Sequence, residues 1–519
     1  MTSDAMVSLD GFSFRYEGAS GNAVADVDLR VRRGECVVLT GRSGCGKTTL
    51  MRAMNGLIPL VYRGESKGSV AIEGKPLGEW TSDALVAKVG SVFQNPRGQF
   101  VNDEVAAELA FGCENQGLSR DAIADRVRES AYDLGISHLL GCCVDELSGG
   151  QCQMVILASV HATHPDVYVL DEPTAALDVE SMQRLGRAIS HLKAQGKTII
   201  VSEHRLWWIA DAADRVVVIE GGRIADDLPA EEFAAVPYST RVRRGLHSWT
   251  VAEIDAAART RLALDAAKGG PDDAPALRVA GLTVGYRTAR DVVHGFDLNV
   301  PPGEVVGVIG PNGAGKTTLA RCLCGLQRES SGAVELLGRR LKFSRRAGAV
   351  YLVMQNPEYQ LFENSVRGEL AEALARGISE TSGTPSAVDE MMRNLDLFDL
   401  AERHPLSLSG GQRQRVSIAA GMLYGARAMV MDEPTSGLDY QSMAGIVRQI
   451  GRLKERGMGI CVITHDYEFL CAACDEVVYV DAGRASPSIP LAGTTLDQVK
   501  SLLGFMNATE TLPEERNAI

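Results

Sequence analysis

An α/β fold, built from two tandem copies of one domain, follows from three features of this 519-residue chain. An ordered set of short motifs occurs twice at a nearly constant interval, the mark of a duplicated architecture. Each copy carries an apolar strand, a glycine-rich loop and a helix in immediate succession. Each also has a later apolar strand that ends in Asp-Glu. Apolar strands alternating with helices indicate a parallel sheet covered on both faces.

Composition narrows the class. The formal charge is −13 (53 basic against 66 acidic residues), with 45% hydrophobic and 23% charged residues. These values exclude wholesale disorder, a collagen-like repeat and a small disulfide scaffold. The acidic balance argues against general nucleic-acid binding. No run approaches the ~18 apolar residues of a membrane span, and MTSDAMVSLDGFSFRYEG lacks the basic-then-apolar pattern of a signal peptide. The expectation is a cytoplasmic chain that reaches a membrane only through partners. The eleven cysteines show no zinc spacing. Cys471-Ala-Ala-Cys474 reads as two small apolar residues ahead of the strand Glu476–Val480 rather than a redox or metal pair.

The repeat defines the domains. Gly41-Arg42-Ser43-Gly44-Cys45-Gly46-Lys47-Thr48-Thr49 recurs as Gly310-Pro311-Asn312-Gly313-Ala314-Gly315-Lys316-Thr317-Thr318. Leu-Ser148-Gly149-Gly150-Gln151 recurs as Leu-Ser409-Gly410-Gly411-Gln412, and Asp171-Glu172-Pro-Thr as Asp432-Glu433-Pro-Thr. The offset is 310 − 41 = 269 at the glycine loop and 432 − 171 = 261 later. The first copy therefore has eight extra residues, around Leu57–Gly64. The boundaries are 1–235 for the first domain, 236–275 for a linker with one helix (Val251–Ala267), 276–491 for the second domain and 492–519 for a tail. Gly269-Gly-Pro-Asp-Asp-Ala-Pro275 breaks the linker helix. The run Arg241-Val-Arg-Arg244 could touch acidic lipid or a partner, but a solvated charge cluster is expected.

Each glycine loop follows a buried strand (Glu35–Thr40, Val305–Ile309) and opens a helix (Thr48–Met54, Thr317–Cys322). Glycines let successive N–H groups and the helix N-terminus face phosphates. Lys47 and Lys316 supply a charge to the terminal phosphates, and Thr48 and Thr317 a hydroxyl to Mg²⁺. Asp171 and Asp432 end their strands (Val167–Leu170, Met429–Met431) at the sheet edge, suited to a Mg²⁺ contact through water. Glu172 and Glu433, one residue on, can orient and deprotonate a water. Ser148 and Ser409, each followed by two glycines at a helix start, form a further anion cradle.

The ordered set of glycine loop, QNP, LSGGQ, Asp-Glu-Pro-Thr and strand-terminal histidine resembles the ATP-binding cassette family, twice over, across about 440 residues. The resemblance implies in each copy a RecA-like P-loop core with an antiparallel β portion and a helical signature subdomain, binding ATP and Mg²⁺ and hydrolysing ATP. Tyr16 and Tyr286 match the aromatic that stacks on adenine, with a core tyrosine as the competing reading. Gln94 and Gln355 match the glutamine that reaches Mg²⁺ and the attacking water. His204 and His465 match the switch histidine, and Asp178 and Asp439 the aspartate at the seam of a cassette pair. Head-to-tail pairing within the chain would set Ser148 against the ATP of Lys316 and Ser409 against that of Lys47.

Within the family, Gln94-Asn-Pro-Arg-Gly-Gln-Phe100, Gln355-Asn-Pro-Glu-Tyr-Gln-Leu-Phe362, Gly56-Leu-Ile-Pro59 and Ser202-Glu-His-Arg-Leu206 resemble the ATPase component of energy-coupling-factor importers. That implies a transmembrane coupling protein and a small membrane substrate-binding subunit as partners, and a vitamin, vitamin precursor or transition-metal ion as cargo. A fused sugar-importer ATPase is the alternative, and a soluble paired cassette acting in translation or repair a further one. Two local expectations complete the reading. Arg413-Gln-Arg415 against Cys152-Gln-Met154 predicts a weaker phosphate field at the site of Ser148 and Lys316, the alternative being that those arginines only pack within their own copy. The helix N-terminus and Lys47 favour a reactive thiolate at Cys45; the alternative is that Cys45 stands in for the alanine of the second copy, with its sulfur turned into the protein.

Overall fold

The computed structural model describes residues 5–175, 177–265, 275–286, 291–377 and 385–505. Two compact units emerge. The first comprises Met1–Leu177, Ser181–Glu253 and Ser436–Ala444; the second comprises Asp178–Glu180, Ile254–Thr435 and Gly445–Ile519.

In the first unit, Val24–Arg32, Ala5–Tyr16, Gly64–Ile72 and Lys75–Pro76 form an antiparallel sheet in that order. Apolar and polar residues alternate along Val24–Arg32, so Val27, Leu29 and Val31 are buried while Asp28, Arg30 and Arg32 face water. A six-stranded sheet runs Arg223–Pro229, Arg215–Glu220, Cys36–Gly41, Thr198–Ser202, Val167–Asp171, Val89–Val92. Its strands pair in parallel except Arg223–Pro229. Every residue of Cys36–Gly41 and Thr198–Ser202 is buried, as expected of central strands covered on both faces. Because these strands are parallel, Gly41, Asp171 and Ser202 all lie at the carboxyl edge of the sheet. That edge of a parallel sheet is where ligands bind.

The second unit repeats the plan. Asp291–Val300, Leu277–Gly285, Ser331–Leu336 and Arg339–Arg340 make the antiparallel sheet. Val350–Val353, Ala428–Asp432, Gly459–Ile463, Val305–Ile309, Glu476–Asp481 and Arg484–Ala485 make the main sheet, with Ile489–Pro490 also paired to Glu476–Asp481. Each copy inserts a helical group between its glutamine and its Asp-Glu strand. The helices are Val105–Asn115, Arg120–Asp133 and Gly149–Ala162 in the first copy, and Val366–Arg376, Pro385–Asn394 and Gly410–Tyr424 in the second. The latter group has its own core of Val366, Leu370, Met392, Leu397, Val416 and Ala419.

Three expectations about the connecting segments are corrected. The basic run is only partly solvated: Arg243 is exposed, but Arg241 is 1% exposed and ion-paired with Glu253, and Arg244 pairs with Asp226 and Glu220. The segment expected as a linker packs with one unit up to Glu253 and the other from Ile254. Its helix, Val251–Asp265, sends Asp255 to Tyr467 and Lys500 inside the second unit. The expected tail contains a helix, Leu496–Leu503, whose Leu496, Val499 and Leu503 are buried. The predicted helix break at Gly269–Pro275 and the last residues of the tail lie outside the described residues. All eleven cysteines are free thiols. Cys471 and Cys474 are buried at the end of the helix Tyr467–Ala473, and burial pushes the Cys471 thiol up to about 12. That fits packing rather than redox or metal chemistry.

Candidate functional site

In the first copy the glycine loop leads from Gly41 into the helix Lys47–Met54. Gly41 has φ +148°, and a Cβ there would overlap the Ile219 carbonyl oxygen on the adjacent strand. Only glycine fits this approach. Lys47 is buried, and its ammonium donates to the carbonyls of Gly41 (3.0 Å) and Arg42 (3.3 Å). The charge is thus held at the loop centre. Thr48 donates to Asp171 Oδ1 (3.2 Å), as does Ser202 (2.5 Å).

Glu172 sits at the centre of a polar cluster. Gln94 Nε2 donates to its Oε2 at 2.8 Å, His204 Nε2 lies 3.3 Å from Oε1, and Lys47 Nζ lies 4.0 Å from Oε1. Burial alone would push the Glu172 carboxyl up, but His204 and then Lys47 outweigh it and hold the carboxyl below its ordinary range. Asp171 moves the other way, pushed up by burial and by the neighbouring Glu172.

The second copy assembles the same types with different contacts. Lys316 donates to Gly310 O (2.7 Å) and Pro311 O (2.8 Å). Glu433 Oε1 meets His465 Nδ1 at 2.7 Å, so the ring engages through the other nitrogen. Glu433 Oε2 and His465 Nε2 are buried without a hydrogen-bond partner among the described residues. Gln355 is exposed and makes no bond to Glu433 among them. Burial, then Glu433, pushes the Asp432 carboxyl up to about 6, although Thr317 donates to it.

Glu172 and Glu433 share φ of +45° and +47°. A left-handed backbone is uncommon and strained for a residue with a Cβ, and such residues cluster at functional sites. Nothing in the residue types signals it.

Ser148 and Ser409 begin the helices Gly149–Ala162 and Gly410–Tyr424 as N-caps. In each, the serine hydroxyl accepts the N–H of Gln151 or Gln412, whose side chain returns to the serine N–H. Both serines are exposed. Gly150 lies so close to Ser181 that a Cβ would overlap its hydroxyl.

Asp439, inside the first unit, accepts the Ser43 N–H (2.7 Å) through Oδ2 and the Ser442 N–H (2.7 Å) through Oδ1. Burial pushes its carboxyl up, but the N–H groups of Ser43 and Ser442, then the Ser442 hydroxyl and His204, pull it to about 2. A lowered carboxyl stabilises above its unfolded pKa and loses that contribution as pH falls through the folded value. The contribution is about 2 kcal/mol, falling to about half near pH 3. The urea midpoint of Asp439→Asn is therefore expected to lie below the parent's at pH 6, with the gap narrowing between pH 4 and pH 2. A gap independent of pH contradicts this. Asp178 belongs to the second unit, where its charge acts on Lys316.

Two local expectations are corrected. Cys45 is 7% exposed within the hydrophobic core, and burial raises its thiol pKa despite Lys47. The sulfur packs in the core, and its burial opposes the predicted thiolate. Arg413 pairs with Glu358 (2.5 Å), and Arg415 lies 4.0 Å from Asp396. Each arginine thus has a carboxylate neighbour in its own copy, and this removes the basis of the predicted difference in phosphate field. One group was missed. Glu203 is fully buried, accepts from Thr174 and from the N–H groups of His204 and Arg205, and is pushed up to about 7 by burial. In the second copy Thr435 bonds Asp466 instead (3.0 Å). The carboxylate has moved across the histidine, from 203 to 466 − 261 = 205. Aligning the copies at their offset of 261 would have exposed the exchange.

Comparison with known proteins agrees with this geometry. The family model described as ABC transporter matches residues 24–175 and 293–436. A Treponema denticola protein assigned as an ABC transporter ATP-binding protein is 40% identical over 479 residues, covering 92% of this chain and 96% of that one. A Vibrio parahaemolyticus protein with the same assignment is 30% identical over 539 residues, covering 97% and 92%. A structure of archaeal ABCE1 with Pelota on the ribosome superposes with TM-score 0.63 at 21% identity, covering 94% of this chain and 80% of that one. That likeness speaks for the fold alone. The chain belongs to the ABC transporter family. It is a tandem ATP-binding cassette ATPase, and its hydrolysis of ATP is coupled to transport.

Proposed function

We propose that this chain is the ATPase subunit of an energy-coupling-factor-type importer. It would power uptake of a vitamin, a vitamin precursor or a transition-metal ion through a transmembrane coupling protein and a small substrate-binding membrane subunit. The carrying observation is a set of exposed apolar residues close in sequence to each candidate glutamine. Phe93 and Val101 (61%) flank Gln94, and Tyr359 (72%) and Phe362 (82%) follow Gln355, all exposed. Exposed apolar clusters mark interaction sites. Among the described residues no helix is long and apolar enough to cross a membrane. A membrane partner covering these residues would place the chain at the cytoplasmic face.

In this reading Lys47 and Lys316 bind the phosphates, and Tyr16 and Tyr286 stack on the base. Ser148 and Ser409, at their helix starts, offer further phosphate contacts. Glu172 and Glu433 take a proton from the attacking water, which Gln94, Gln355, His204 and His465 orient. The carboxylates fit Mg²⁺. No cluster of three or more metal-binding side chains occurs among the described residues, and Mg²⁺ takes few protein ligands beside phosphates and water. The raised carboxyls of Asp171 and Asp432 match a place built for positive charge. Thr48, Asp171 and Gln94, and Thr317, Asp432 and Gln355, would hold it. When bound, the ion neutralises developing phosphate charge.

The test is copurification of tagged chain from detergent-solubilised membranes. The expected companions are one multi-span protein and one small membrane protein. Recovery with ribosomes, or with a permease pair and a sugar-binding protein, contradicts the proposal.

A further inference from the structure

The eight residues present only in the first copy end beside its candidate base-stacking tyrosine. Tyr62, from that segment, lies under the Arg52 guanidinium, which is 4.0 Å from the ring centroid. Arg52 in turn donates to the Tyr16 hydroxyl at 3.0 Å. The same hydroxyl meets Thr49 Oγ1 at 3.2 Å. The Tyr16 ring packs at right angles against Phe14 (4.9 Å) and Tyr62 (6.3 Å). A cavity of about 540 Å³ opens beside it, lined by Arg15, Tyr16, Glu17, Arg63 and Glu65 among others. Part of its wall, Arg63–Glu65, thus continues from the extra segment.

The second copy keeps the tyrosine and the arginine but not the brace. Tyr286 is 38% exposed and its hydroxyl meets Thr318 (3.2 Å). Arg321 occupies the place of Arg52 (52 + 269) but is exposed, with no ring stacked on it among the described residues. A guanidinium over an aromatic face is attracted to it. Tyr62 therefore aims Arg52, and Arg52 restrains Tyr16 before any ligand arrives. Immobilising a side chain on binding costs free energy, and a ring already fixed escapes that cost.

We infer that Tyr62 and Arg52 are positioning residues that pre-form the nucleobase site of the first copy, making it the tighter ATP site. This rests on the reading of Tyr16 as the base-stacking residue.

Photolabelling by 8-azido-ATP over a concentration series, with peptide mapping, reads each copy separately in the full chain. Tyr62→Leu is expected to raise half-saturation in the first copy about three- to tenfold and leave the second unchanged. Arg52→Gln should do the same, and Tyr62→Phe should match the parent. Tyr16→Phe, which keeps the ring and loses the tethered hydroxyl, should reproduce the loss. Adding Arg52→Gln to Tyr16→Phe should then change nothing further, a non-additivity that general loosening of the fold does not produce. Additive losses, equal losses in both copies, or parent affinity in both Tyr62→Leu and Arg52→Gln overturn the inference. Tyr16→Leu separates the two readings. If it leaves first-copy affinity unchanged, the stacking role fails. If it weakens binding while Tyr62→Leu and Arg52→Gln do not, only the present inference fails.

Discussion

Replacing Glu172 and Glu433 together by Gln is expected to lower ATP turnover by about 10²–10⁴-fold, the range for losing a positioned general base. Nucleotide affinity should stay near the parent's. Lys47 and Lys316 are anchored to loop carbonyls and do not need the glutamate for their position. Gln keeps the size and the backbone demands of a residue at φ near +46°, and it retains an oxygen to meet Gln94 or His465. What it lacks is a site for the water's proton. Steady-state hydrolysis alongside equilibrium ATP binding checks both halves. Turnover at the parent rate contradicts the role.

The second large effect is structural. Gly310→Ala should destabilise the second copy by about 3 kcal/mol or more, because the new Cβ overlaps the Val480 carbonyl oxygen at φ +146°. That oxygen is backbone of a core strand and cannot turn away. Gly313→Ala, three residues on, meets no atom within 4 Å and carries only the cost of φ +83°, about 1 kcal/mol. Melting curves of the two variants should separate clearly. Equal melting temperatures would show that the loop relaxes and that contact does not set its shape.

The duplicated α/β plan was legible because its signals are local. An apolar strand, a glycine loop and a helix start lie within about twenty residues, and the repeat confirms each by the other. The convergence of Asp171, Glu172 and His204 on Lys47 was legible through motif order, since parallel strands deliver their carboxyl ends to one edge. Pairing over longer separations was not. A charged run shows its charge but not its partner, so Arg241 was expected in water although Glu253 neutralises it inside the fold. Arg413 was expected to strengthen the field at a phosphate, although Glu358, 55 residues earlier, faces it. Cys45 failed for a related reason: Lys47 is adjacent in sequence, but burial governs the thiol. The left-handed backbone of both glutamates has no counterpart in residue type at all.

ATP-driven accumulation of cargo in proteoliposomes tests the central claim most directly. The membrane proteins that copurify with the chain would be reconstituted once with parent chain and once with the Glu172→Gln, Glu433→Gln double variant. Accumulation with the parent chain and none with the double variant, at equal binding of the chain to the vesicles, is the predicted result. Accumulation that continues undiminished with the double variant would contradict it.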